Sequence, residues 1–249
     1  MQSHEYPLIT IVTAVLNNKN TIEDTIISVL KQNYQNIEYI ILDGGSTDGT
    51  LDILYSYKKQ INCLVSEPDR GVYDAFNKGI DLAHGDWIYF LGADDKFVDQ
   101  NVLSDIFSKN YKSKMIYGNV IWGDTETIYD GKFTKVKLYY HNICQQAIFY
   151  HRDVFRIIGK FELKYKLLAD WVFNMRAFNS IIIAPIYLDK VIAIYSTDGI
   201  SFTSSDTVFT KERQYLIKEI FGLCHYIYFK YFYWLHIASK LIYKQTNSH

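Results

Sequence analysis

Gly85-Asp86-Trp87-Ile88-Tyr89-Phe90-Leu91-Gly92-Ala93-Asp94-Asp95 decides how this chain reads. Trp87 to Leu91 is a short apolar run, the length of a strand buried on both faces. It stops at a small-small-acid-acid turn. In an open α/β sheet, ligands bind in the crevice outside the carboxyl ends of the strands. Paired carboxylates there suit a hard divalent cation, which takes oxygen ligands. A polar turn that simply ends a strand uses the same residues. The choice depends on how the neighbouring strands end.

Upstream, Leu8 to Val15 is a β-branched run, expected as the first and central strand. Asn17-Asn18-Lys19-Asn20 is a loop, and Asn20 with Glu23 has capping-box spacing. Ile22, Ile26, Val29 and Leu30 recur at helical spacing and are expected to face the sheet. Ile37 to Leu42 reads as a second strand. Asp43-Gly44-Gly45-Ser46-Thr47-Asp48-Gly49-Thr50 then turns into a helix over Leu51–Lys58. Ile61 to Val65 reads as a third strand, running into Ser66-Glu67-Pro68-Asp69-Arg70-Gly71 and a helix over Val72–Leu82. This alternation of strand and helix predicts a parallel sheet built from βαβ units.

Downstream the pattern is less regular. Met115–Trp122, Ile143–Tyr150 and Ile181–Leu188 read as strands. Phe161–Phe178 reads as a loop and then a helix with Asp170 near its start. Thr197-Asp198-Gly199-Ile200-Ser201 is a turn, and the pattern is helical from Phe209 to Tyr243. The expected organisation is one α/β domain over residues 1–205 and a helical tail over 206–249.

The 249 residues carry a net charge of −1, so no overall basic field points to nucleic acid. Cys63, Cys144 and Cys224 are far apart and form no CxxC pair, which excludes the common zinc and disulfide frameworks. Cys63 and Cys144 are expected as buried thiols. The N-terminus lacks a secretory pattern, and no window is apolar for about 18 residues, so a cytoplasmic location without a transmembrane span is expected.

Asp43, Asp69 and Asp94 each follow a predicted strand end closely, so parallel strands would bring them to one rim. Clustered acids repel one another. A magnesium or manganese ion, together with a ligand rich in hydrogen-bond donors, would relieve that cost, and a nucleoside diphosphate sugar supplies the diphosphate and the base N–H groups. Three separate Asx turns remain the alternative. The chain has no P-loop, no G-x-G-x-x-G, no H-E-x-x-H and no G-x-S-x-G.

Five segments in order carry a family resemblance: Thr10 to Asn17, Ser28 to Gln32, Ile41 to Thr50, Glu67 to Gly79 and Phe90 to Asp95. Over roughly residues 7–205 the chain resembles the family 2 glycosyltransferases of the GT-A fold, in particular bacterial enzymes of the colanic-acid and O-antigen type. The resemblance implies an inverting, metal-dependent enzyme that moves a hexose from a UDP-sugar. It implies that Thr13, Val15 and Asn17 lie along the uridine and that Asp43 accepts from the uracil ring. It places Asp69 as the second nucleotide-side acid and Arg70 beside the diphosphate. Asp94 matches the last acid of the family's Asp-x-Asp metal motif, with Gly92 where the first Asp would stand, and the implied ion is Mg2+ or Mn2+. Asp95 would bind donor-sugar hydroxyls or hold the turn. Asp170, in Leu168-Ala169-Asp170-Trp171, matches the general base, with Ala169 where Glu is frequent; taken alone it is a helix N-terminal acid. Gln146 matches the Gln of a His-Gln-Ala-x-Phe segment, with Gln145 in place of His. Residues 197–201 resemble a loop that closes over the diphosphate, with Asp198 where relatives carry a His.

The resemblance also implies an acceptor carried on a polyprenyl diphosphate lipid, a lipid-linked oligosaccharide. Residues 223–244 are rich in Tyr, Phe and Trp, with Lys230, Lys240 and Lys244. That composition suits an amphipathic helix lying peripherally on the inner face of the bacterial inner membrane, or a helix packed on protein. The rival function is a catalytically impaired nucleotide-sugar or glycan-binding module of the same fold.

Overall fold

The computed structural model describes residues 6–123, 125, 127–129, 131–196 and 205–232. Its centre is β1 (Ile9–Val15), whose Ile9, Ile11, Val12 and Val15 are all buried. β1 pairs in parallel with β2 (Ile37–Asp43) on one side and β4 (Trp87–Gly92) on the other, and β3 (Cys63–Ser66) extends the sheet beyond β2. Helices α1 (Ile22–Leu30), α2 (Thr50–Ser56) and α3 (Val72–Leu82) connect these strands. Val15 lies opposite Asp43, Asp43 opposite Ser66 and Ala14 opposite Gly92. The carboxyl ends of all four strands therefore share one rim. The chain runs from β1 outward to β3, then returns to the other flank of β1 with β4. That reversal is the topological switch point at which open sheets bind ligands.

Beyond β4 the sheet becomes mixed. The remaining strands are β5 (Lys96–Phe97), β6 (Met115–Trp122), β7 (Ile128–Tyr129), β8 (Ile148–His151) and β9 (Ile186–Tyr195). The order is β3-β2-β1-β4-β8-β6-β9-β5, with β7 beside β6. β8 is antiparallel to both β4 and β6, whereas β6 and β9 are parallel. Helices α4 (Val102–Phe107), α5 (Asp153–Ile158), α6 (Ala169–Asn179) and α7 (Thr207–Phe221) complete the described elements.

Several local expectations change. Asn20 and Glu23 form no capping box: Thr21 occupies the cap position, its hydroxyl donates to Asn18 Oδ1 and to the Ala93 carbonyl, and Glu23 accepts from Tyr57. The buried stripe of α1 is Ile22, Thr25, Ile26 and Val29, while Leu30 is exposed one step past that face. The predicted strand at Ile143–Tyr150 is confined to its end, because residues 145–147 form a 3-10 turn. The strand expected at Ile181–Leu188 starts after Pro185. Ile181 and Ile182 sit in an exposed turn, and Ala184 takes a positive φ of 46°. The helical pattern after Phe209 breaks at Gly222, whose φ of 93° is the left-handed conformation glycine adopts without penalty. The chain is helical again over residues 223–232. α7 buries Phe209, Leu216 and Ile217. Asp206 caps it by accepting from Phe209 N–H and also accepts from Leu167 N–H, and Phe209 packs on Trp171. Cys63 and Cys144 are half-buried rather than fully buried, and Cys224 is exposed. The turn predicted at 197–201, with Asp198, lies outside the described residues.

Candidate active site

The rim acids fall into two groups. On the β1–β3 side, Asp43 is buried, and its carboxylate accepts from Gly45 N–H at 3.1 Å, from Ser46 N–H and from the Ser66 hydroxyl at 2.6 Å. It ties the end of β2 to its own turn and to β3. Asp69 accepts from Gly71 N–H at 2.8 Å. Its carboxylate lies so close to Gly44 that a Cβ there would stand 2.8 Å from Asp69 Oδ2, which makes glycine the residue that fits. Asn17, at φ 51°, pins the loop after β1 to the loop after β2: its N–H donates to Ser46 Oγ, and its side-chain oxygen accepts from Thr47 N–H, both at 2.8 Å. Thr13 is fully buried with its hydroxyl 3.2 Å from that of Tyr39, and the Val15 carbonyl accepts from Gly44 N–H. Both side chains are buried. The Arg70 guanidinium is exposed and donates to Asp74 Oδ1 at 2.7 Å, so it lies along α3.

On the β4 side, α1 holds the acidic turn. The hydroxyls of Thr21 and Thr25 donate to the carbonyls of Ala93 and Asp95. Asp95 is 1% exposed. Its carboxylate accepts from Ser196 N–H at 2.8 Å and from the Gln146 side-chain amide. Burial, and next the charge of Asp94, push its carboxyl up to about 7. The carboxylate folds back over Gly92, where any side chain would overlap it and crowd Asp94. The missing first acid of the Asp-x-Asp pattern thus has a physical reason: Asp95 fills its space.

The fold family implies a divalent cation. Among the described residues, no three His, Cys, Asp or Glu side chains converge as a metal cage. Asp94 and Asp95 are adjacent at the end of β4, close enough for the Asp94 charge to raise the Asp95 carboxyl, and paired carboxyl oxygens are of the chemical type a hard cation takes.

Asp170 stands in the first turn of α6 and is 7% exposed. Burial pushes its carboxyl up to about 6, against the Tyr73 hydroxyl at 2.7 Å, the Asn142 amide at 2.8 Å and the Trp171 N–H at 2.9 Å, all of which favour the charged form. The turn before β8 connects the two buried carboxyls: Gln146 reaches Asp95, and the Cys144 thiol feels the charge of both Asp95 and Asp170. Gln146 is therefore spent on Asp95, while its side-chain oxygen accepts from Cys144. The sequence reading missed Tyr73, Asn142 and Ser196. Tyr73 lies inside the quoted Glu67–Gly79 segment, but Asn142 and Ser196 carry no local signal.

The family model described as glycosyl transferase family 2 matches residues 10–171. The chain belongs to glycosyltransferase family 2. It is 37% identical over 213 residues to the PGL/p-HBAD biosynthesis glycosyltransferase Rv2957 of Mycobacterium tuberculosis, a match spanning 82% of this chain and 83% of that one. It is 42% identical over 94 residues to TuaG of Bacillus subtilis, named for teichuronic acid biosynthesis, a match spanning 36% of this chain and 37% of that one. Among solved structures, this family 2 transferase is similar to S. aureus TarS 1–349 in complex with UDP-GlcNAc, with a TM-score of 0.69, 18% identity and coverage of 86% of this chain and 65% of that one. A second S. aureus TarS structure is similar at a TM-score of 0.66, with 16% identity and coverage of 86% of this chain and 43% of that one. The mannosyltransferase PcManGT from Pyrobaculum calidifontis, in complex with GDP-Man and Mn2+, is similar at a TM-score of 0.63, with 16% identity and coverage of 80% of this chain and 60% of that one. These likenesses establish the GT-A fold. The two sequence relatives are named for PGL/p-HBAD biosynthesis and for teichuronic acid biosynthesis.

Proposed function

We propose that this transferase moves a hexose from a UDP-sugar to a lipid-linked oligosaccharide by direct displacement, inverting the anomeric centre. Asp170 is the base. Its carboxylate takes the proton of the acceptor hydroxyl as that oxygen attacks the anomeric carbon, and the nucleoside diphosphate leaves. The observation that carries the reading is the Asp170 carboxyl itself: it is buried, raised to about 6, and still surrounded by donors that keep it ionised near neutrality. Asp43, Asp69, Asn17 and the backbone at the ends of β1 and β2 form the nucleotide side, and Asp95, held by Gln146, forms the sugar side. Asp94 would hold a Mg2+ or Mn2+ ion, which would supply charge neutralisation for the diphosphate leaving group.

The acceptor's lipid suggests where the protein works. Asn179 donates to the Ile220 carbonyl and so joins the turn bearing exposed Ile181 and Ile182 to the end of α7. Leu223, Ile227, Tyr231 and Lys230 are exposed on the next helical segment. Apolar and aromatic side chains flanked by Lys suit the headgroup region of a bilayer, so the reading is peripheral contact at the inner membrane face from the cytoplasm. No helix among the described residues is long and apolar enough to cross a membrane.

Thermal unfolding with a panel of nucleotides and nucleotide-sugars, each with and without Mn2+, tests the donor assignment, because a ligand of the folded state raises the midpoint. A metal-dependent rise for UDP and one UDP-sugar, followed by sugar transfer, supports it. Binding without turnover in any acceptor assay favours the impaired binding module instead.

A further inference from the structure

Asp170 terminates a line of side chains that begins three hydrogen bonds away. The Tyr150 hydroxyl on β8 donates to Asn174 Oδ1 at 2.8 Å. The Asn174 amide on α6 donates to Asn142 Oδ1 at 3.0 Å. The Asn142 amide donates to Asp170 Oδ2 at 2.8 Å. From the opposite flank, the Tyr73 hydroxyl on α3 lies 2.7 Å from Asp170 Oδ1 and 2.8 Å from the Leu167 carbonyl, so its single proton is shared between them, with the charged carboxylate the stronger acceptor.

Each link has a direction. A primary amide offers a donor at one end and an acceptor at the other. Because Tyr150 donates to Asn174, Asn174 must present its N–H to Asn142, and Asn142 must then present its own N–H to Asp170. Were Asn142 turned over, its oxygen would face the carboxylate, and the contact would survive only with Asp170 protonated. Asn174 and Tyr150 are fully buried, so water does not compete for these bonds.

We propose that Tyr150, Asn174 and Asn142, together with Tyr73, are the positioning residues of Asp170, presenting its carboxylate with donors only and so keeping it ready to accept the acceptor's proton. The inference rests on Asp170 as the base. The titratable groups that face Asp170 are Tyr73 from α3, Tyr150 from β8 and Cys144 from the turn before β8, and burial raises each far enough to keep it neutral. The Asp170 charge adds to that rise in all three, and no cation among the described residues is a cause of its own shift. Hydrogen-bond direction is then what opposes burial. The buried Gln145 amide lies at the Tyr150 end of the line and acts on the Tyr150 oxygen as a hydrogen-bond donor, which leaves the single Tyr150 O–H to donate to Asn174.

Two readouts on the full-length protein test this: the pH–rate profile of transfer, and the 13C titration of the Asp170 carboxyl in aspartate-labelled protein, assigned by its loss in Asp170→Asn. In the parent both are expected to turn near pH 6. Asn142→Ala removes one donor to a charged oxygen and should move both up by about one pH unit. Tyr150→Phe should move both in the same direction by less, although its hydroxyl does not touch Asp170. A packing role alone would lower stability and leave the midpoint in place, so unchanged midpoints in both variants overturn the proposal. If Asn142→Ala fails to fold, the near-isosteric Tyr150→Phe decides. If Asp170→Asn retains full transfer, the base assignment falls, and the carboxyl titration alone judges the hydrogen-bond line.

Discussion

Asp43 and Asp170 are both buried carboxylates with three or more hydrogen-bond donors, yet they are built differently. The donors to Asp43 come from its own turn and from the adjoining β3. The donors to Asp170 include Tyr73, 97 positions away, and Asn142, 28 positions away. One is a local device that shapes a turn. The other is assembled by the tertiary fold and holds a carboxyl up at about 6. Asp43 is satisfied by its own neighbourhood, whereas Asp170 depends on partners that only the tertiary fold brings to it.

The sharpest way to break that contrast is Asp170→Asn. Transfer should fall by about 10²- to 10⁴-fold, the usual worth of a general base, while the rise in melting temperature caused by UDP persists. Chelation with EDTA comes next: transfer should drop by at least tenfold and return on adding Mn2+ or Mg2+, with the circular dichroism spectrum unchanged, because no cage of three or more His, Cys, Asp or Glu side chains exists among the described residues. Gly92→Ala should cost about 1–3 kcal/mol in urea unfolding by displacing the Asp95 carboxylate from Gln146 and Ser196. Asp43→Asn probes the local group. It should cost about 1–2 kcal/mol of stability and weaken donor binding, leaving the pH at which transfer turns on unmoved.

A pH series sharpens the same comparison. The folded carboxyls of Asp95 and Asp170 titrate at about 7 and about 6, above the ordinary carboxylate range. Their contribution to stability is complete below the unfolded value of about 4 and is lost as pH rises through 6 and 7. Unfolding free energy should therefore decline over that window for the ligand-free protein, and the decline should be shallower in Asp170→Asn.

The same contrast explains what the sequence made legible. The alternation of buried runs and turns from Leu8 to Asp95 gave the parallel half of the sheet, because each βαβ unit is encoded within a few dozen residues. Asp43 and Asp69 were legible for the same reason, since an acid beside Gly announces a turn. The C-terminal half was not. Ile181 and Ile182 looked like a strand by propensity, but Pro185 and the left-handed Ala184 delay β9 until Ile186. Asn142 stands in His141-Asn142-Ile143, where nothing local distinguishes it from a loop polar residue; its role exists only once α6 and β8 are packed. Gln146 was singled out from the family pattern, but its partner Asp95 lies 51 positions away across the sheet.

Residues 142–146 join the two buried carboxyls: Asn142 donates to Asp170 and Gln146 donates to Asp95. On the proposed assignment, one five-residue stretch would touch both the acceptor and the donor side, so changes in the two specificities are expected to come together. Double-mutant cycles between Asn142 and Gln146 would register that linkage as a non-additive loss of transfer.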